Sequence, residues 1–182
     1  LPVSPVEDIQ PKGRRRHGKP QLHRNEARIF SETAIQVYCK RGRGYEAALG
    51  DLISLWLGLR STEILCLQVR DVDQHPAGVW LWVAADAYEG KTPSARRPLE
   101  VPEELAELLV KQAEGKPSDG WLFPAKTSSG HRTKTWLRES AHRICEKAGI
   151  KYVPPHGLRG TQSSITREAG ATAHLVAAQL GH

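Results

Sequence analysis

The sequence predicts an α+β domain, mainly helical, with a small three-stranded antiparallel sheet. Two observations carry that expectation. Apolar residues recur three and four apart over long stretches towards both ends of the chain, the spacing of helices with one buried face. Between Asp71 and Pro102 the period shortens to that of strands, with β-branched and aromatic residues in Val79-Trp80-Leu81-Trp82-Val83. Composition bounds the rest. A chain of 182 residues holds one domain with a sizeable core, or one domain with an arm. Its 39% hydrophobic and 25% charged residues place it with folded soluble domains, not with disordered chains. No apolar run approaches a membrane span and the first residues hold no signal-peptide core, so a cytoplasmic protein without a membrane partner is expected.

Residues 1–20 contain four prolines and the run Arg14-Arg15-Arg16-His17, with almost no periodic apolar residues. They read as a basic arm or interdomain linker, either a solvated tail or a strap across a phosphate backbone; residues 21–182 read as the folded domain. Ala27, Phe30, Ala34, Val37 and Arg41 mark an amphipathic helix that Gly42 is expected to end. Glu46 to Gly58 is apolar nearly all round, the signature of a helix in mid-core. Gly58-Leu59-Arg60 follows at once. Ser61 or a neighbour can cap a new helix through Ile64, Leu65 and Leu67, which sets Arg60 at a helix junction.

Strands are expected near 69–72, 79–84 and 97–101, and the polar connection Asp86 to Arg96 presents Lys91 near a hairpin tip. Pro102-Glu103-Glu104 opens a helix whose acidic first turn suits the dipole and whose buried stripe is Leu105, Leu108 and Leu109. Gly115 to Gly120 is loop, and Trp121-Leu122-Phe123-Pro124 is an apolar anchor. Leu137, Ala141, Ile144 and Ala148 form a stripe that Gly149 closes, with Lys134, Arg138, Arg143 and Lys147 on the outer face. Pro154-Pro155 starts a helix that Gly170 ends. A last short helix, Thr172 to Leu180, carries Leu175, Val176 and Leu180 at core spacing, and Gly181 places His182 just past its end.

A net charge of +6 and a pI near 9.4 point weakly to nucleic acid. The three cysteines, Cys39, Cys66 and Cys145, are odd in number and far apart, which fits a reducing compartment; Cys66 reads as a small core residue. His156 and Arg159 share one helix face. With His182 they could grip a phosphodiester: arginine offers a rigid fork to two phosphate oxygens, and the imidazoles add donors or a proton relay. Alone, the pair is more often an ordinary exposed feature of a helix. A zinc module of His131, His142, Cys145 and His156 follows no known ligand spacing, so neither metal nor cofactor is expected.

Five motifs, in order along the chain, carry a resemblance. They are Gly58-Leu59-Arg60-Ser61-Thr62-Glu63-Ile64-Leu65, Gly90-Lys91-Thr92, Trp121-Leu122-Phe123-Pro124, Ala148-Gly149-Ile150, and His156-x-x-Arg159 ending in Leu180-Gly181-His182. Each is weak by itself. Together, with plausible spacing, they make residues 21–182 resemble the catalytic domain of the tyrosine recombinases, or phage integrases. The resemblance implies site-specific DNA recombination through a 3′-phosphotyrosyl intermediate. It assigns Arg60 and Arg159 to the phosphate oxygens, Lys91 to the leaving oxygen, and His156 and His182 to proton transfer and phosphate binding. Glu63 is implied as a supporting acid that orients Arg60 or His156. Elementary chemistry agrees, because strand transfer passes through a phosphorane whose added negative charge fixed cations stabilise. Double-stranded DNA is the partner implied, with self-association on it as a tetrameric synapse, and Arg14, Arg15, Arg16, Lys134 and Arg138 are the DNA-contacting candidates.

One feature departs from the pattern. The family's nucleophile is a tyrosine roughly ten residues after the final histidine motif, and none of Tyr38, Tyr45, Tyr88 and Tyr152 holds that position. The expectation is a catalytic domain that stops before its nucleophile and does not cleave unaided. The alternatives are a non-cleaving DNA-binding module of the same fold and a type IB topoisomerase-like enzyme.

Overall fold

A computed structural model describes residues 19–83, 96–125, 130 and 132–181. The element that positions everything else is α2 (Tyr45–Leu57), in which every residue from Ala47 to Leu55 is buried. A helix with no polar face has to be surrounded. Four helices do so: α1 (Arg24–Cys39), α4 (Glu103–Ala113), α5 (Lys134–Ala148) and α6 (Pro155–Glu168) all pack on it. The short α3 (Ser61–Leu65) continues from its end, and α7 (Ala173–Leu180) follows α6. Phe30 and Ala34 of α1, Leu105 and Leu109 of α4, and Leu137 and Ile144 of α5 meet it in one core, each at the helical spacing its sequence shows.

The sheet has the order β1-β2-β3, antiparallel throughout, from β1 (Val72–His75), β2 (Gly78–Val83) and β3 (Arg97–Glu100). Leu81 faces Val72 on one side and Leu99 on the other, and all three are buried. The same alternation turns Trp82 outwards and Arg97 inwards. Pro98 lacks a ladder N–H and sits on the outward side of an edge strand, where that is tolerated.

Several expectations need correction. Residues 69–71 form a 3-10 turn, not a strand, and β1 begins at Val72. The Asp71 carboxylate takes the Gln68 N–H at 2.8 Å, while Val69 and Arg70 donate to the carbonyls of Gly120 and Ser118. That stretch is therefore bound to the 118–122 loop instead of pairing with β2. The first helix stops at Cys39, short of Gly42, and Arg41 takes the left-handed conformation (φ 49°) expected of a glycine. Leu175 is 61% exposed, so α7 is held by Val176 and Leu180 alone among its large side chains. Cys66 is only partly buried; the core cysteine is Cys145.

Candidate active site

The site forms where α2 ends. Gly58 terminates α2 in the left-handed conformation (φ 71°), and a Cβ there would lie 2.7 Å from the Leu180 side chain, so glycine allows both the turn and the close approach of α7. Leu59 is buried, and Arg60 caps α3. Glu63, in the first turn of α3, reaches back to the Arg60 N–H at 2.6 Å, one half of a capping box. The Ser54 hydroxyl lies within reach of the Leu59 and Pro155 carbonyls (3.2 and 3.0 Å), which ties this junction to the first residue of α6. Gly157 leaves room for the Pro20 carbonyl, which a side chain would strike. The α6 N-terminus, carrying His156 and Arg159, is thereby pinned against the α2–α3 junction.

Glu63 gathers three guanidiniums. Its side chain is fully buried (0% exposed), and Arg60 Nη1 donates to Oε1 at 2.9 Å. Arg97 places Nη1 and Nη2 each 3.4 Å from one carboxylate oxygen, and Arg159 Nη1 lies 3.9 Å from Oε2. The same arginines take the end of α7: Arg159 Nη2 donates to the Leu180 carbonyl at 2.9 Å, Arg60 Nη1 to the same oxygen at 3.3 Å, and Arg97 Nε to the Gln179 carbonyl at 2.7 Å. Arg159 Nη1 also donates to the Gly58 carbonyl. Carbonyls at a helix C-terminus lack intrahelical partners and carry the negative end of the dipole, so they suit this role.

The arginines differ in what they leave open. The Arg159 side chain is 6% exposed, and burial, followed by the Arg60 charge, pulls its pKa down to about 10 despite Glu63. The Arg60 side chain is 34% exposed, and its Nε and Nη2 meet no acceptor among the described residues. His156 is exposed at the start of α6; partial burial and then the charges of Lys19, Arg159 and Arg60 hold its pKa below the ordinary imidazole value. A neutral imidazole at pH 7 can accept a proton.

Of the sequence-predicted residues, Arg60, Glu63, His156 and Arg159 come together. Lys91, His182, Arg14, Arg15 and Arg16 lie outside the described residues, as does Tyr88. Lys134 and Arg138 are exposed on α5, and Arg138 lines a shallow concavity with His142, Arg143 and Tyr152. A larger groove between the β1–β2 turn and α4, rimmed by Glu100, Glu103, Glu107 and Glu114, holds none of them. The phenol of Tyr38 is engaged with the Leu108 carbonyl at 3.1 Å and Gln112 at 3.2 Å, and burial pushes it up to about 12. Tyr45 packs on Tyr38, and Tyr152 on His142. Sequence reasoning missed Arg97 as a site residue. Its signal was the alternation Arg97, Leu99, Val101, which puts an arginine on the apolar side of a strand.

Residues 38–182 match the sequence model of the phage integrase family, and the chain belongs to that family. It is 27% identical over 143 residues to the integrase of Mycobacterium phage L5, an alignment covering 71% of this chain and 38% of that integrase. It thus spans well under half the length of that curated relative. The fold is the mainly helical catalytic-domain fold of the tyrosine recombinases. XerA recombinase superposes with a TM-score of 0.69 at 21% identity, over 95% of this chain and 58% of that one. XerH site-specific recombinase, solved with its difH substrate before cleavage, gives 0.70 at 22%, over 90% and 47%.

Proposed function

We propose that this chain is the phosphate-activating part of a site-specific DNA recombinase, acting in integration or excision. The observation that carries the reading is the arginine cluster. Three guanidiniums share one carboxylate and one helix end, and Arg60 keeps donors turned to solvent. Such a site has positive charge to spare and is built before the ligand arrives, which is what an anionic transition state needs. In the proposed reaction a phenolate oxygen attacks the scissile phosphorus, the new bond is P–O(Tyr), and the P–O5′ bond breaks. Arg60 and Arg159 stabilise the phosphorane oxygens. His156, held neutral, accepts the nucleophile's proton, Lys91 gives a proton to the leaving O5′, and His182 adds a donor to the phosphate.

Double-stranded DNA is the proposed partner, with a tetrameric assembly on it. Residues 1–20 serve as an arm along the backbone through Arg14, Arg15 and Arg16, and Lys134 and Arg138 give further phosphate contacts. Because none of Tyr38, Tyr45, Tyr88 and Tyr152 holds the position of the family's nucleophile, the reading assigns the phenolate to a tyrosine outside these 182 residues, so that the chain alone binds DNA without cutting it. The test is a denaturing gel of labelled suicide substrate. No covalent band is expected from the 182-residue chain, and one is expected from the same reading frame continued to a tyrosine after His182. A band from the chain itself would make one of its own tyrosines the nucleophile. Failure of either protein to retain duplex DNA would end the recombinase reading.

A further inference from the structure

Arg97 is placed where the sheet calls for an apolar residue. It shares the inward side of β3 with Leu99, and its side chain is almost wholly buried. A charge buried there persists only if it is paired and hydrogen-bonded. It is both: its two Nη atoms face the two oxygens of Glu63, and its Nε holds the Gln179 carbonyl. One planar guanidinium therefore fixes α3 and the end of α7 at once, a bridge that the rigid fork of arginine can span and a lysine cannot.

We propose that Arg97 is a positioning residue of the phosphate site, and that it keeps Glu63 steering Arg60 instead of neutralising it. Glu63 has one negative charge. With Arg97 across both its oxygens, that charge is shared, and Glu63 binds Arg60 through Nη1 and the backbone N–H only. Without Arg97, the carboxylate is left to Arg60 and Arg159 and cancels the charge meant for a phosphate.

The anion that the site serves rests on the recombinase reading, so the test has one arm without DNA and one with it. Arginine side-chain 15N NMR on the 182-residue chain reports the order of Arg60 and Arg159 with no ligand present. Arg97→Gln is expected to raise the mobility of both side chains and to weaken duplex binding about fivefold. Adding Glu63→Gln to Arg97→Gln is expected to restore affinity, because the uncompensated negative charge is gone, but not the order of Arg60. A purely structural role would not separate those two readouts. If Arg97→Gln does not fold, Arg97→Lys keeps the charge but not the two-oxygen grip, and intermediate mobility at Arg60 is expected. Unchanged order at Arg60 and Arg159 in whichever variant folds overturns the proposal. Absence of duplex binding by the unmutated chain would instead overturn the recombinase reading, and the ligand-free arm would still decide the role of Arg97.

Discussion

Asp51 and Glu63 are both carboxylates taken out of water, one inside α2 and the other just past its end, and the fold treats them in opposite ways. Glu63 is given three guanidiniums. Asp51, wholly buried where α2 meets α5, has no ion pair among the described residues; burial pushes its carboxyl well above the usual range, and Ser140 and the charge of Arg143 offset only part of this. Burial leaves an acid two ways out, to keep its proton or to collect cations. The first gives a neutral group that merely fills the core. The second assembles positive charge around itself and becomes a platform for an anion. The position of an acid in the helix pattern does not reveal which way it takes; the arginines that reach it do.

The largest effects should follow from removing the acid that holds cations. Glu63→Ala strands three guanidiniums and should cost about 3–5 kcal/mol in urea unfolding, whereas Asp51→Asn, which puts a neutral amide where burial already disfavours the charged carboxylate, should shift stability by about 1 kcal/mol or less. Equal losses would erase the distinction between the two acids. Next come the cations themselves. In a chain competent for cleavage, Arg60→Ala and Arg159→Ala should each slow formation of the covalent adduct by at least about a hundredfold. Only Arg159→Ala should also lower the melting temperature markedly, because only its side chain is buried.

The pH dependence comes third and carries a sign. Folded Asp51 holds a proton that the unfolded chain releases above 3.8, so its contribution to stability falls as pH rises from there towards its raised folded value. Asp51→Asn should flatten that decline. His156 acts in the other direction: its folded pKa lies below 6.5, so stability is retained above 6.5 and lost as pH falls towards the lowered value. Chemical denaturation at a series of pH values separates the two. The smallest effect concerns residues 1–20, whose deletion should flatten the salt dependence of duplex binding by the charge of Arg14, Arg15 and Arg16. An unchanged slope would make the arm a tail.

Much of this was legible beforehand, for physical reasons. The unbroken apolar surface of α2 announced its central place, and the stripe Leu137, Ala141, Ile144 announced α5. Helix boundaries could place Arg60, His156 and Arg159 at element ends, Gly58 before one and Pro154-Pro155 before the others, but it was the resemblance to the tyrosine recombinases that singled them out as site residues. What pattern could not supply was contact across long separations. Alternation marks Arg97 as an arginine on the apolar side of a strand, but not what it pairs with until Glu63 is set opposite it. Val69 to Val72 reads as a short strand, but the N–H groups of Val69 and Arg70 are taken by a loop some fifty residues away, and that of Asp71 by the Gln68 carbonyl. Leu175 has the right spacing for a core position, yet a helix this short and peripheral has only one face to bury.

The attachment of α7 through the carbonyls of Gln179 and Leu180 has a consequence for how this domain can vary over time. The arginines grip main chain, which every residue type provides. Substitutions on the outer side of α7, at Ala173, His174, Leu175 or Ala178, can then accumulate without loosening the helix. Natural variation on the outer side of α7 should therefore be wide while its length, the buried Val176 and Leu180 and the turn at Gly181 hold steady, and the arginine grip itself would leave no record in residue identity.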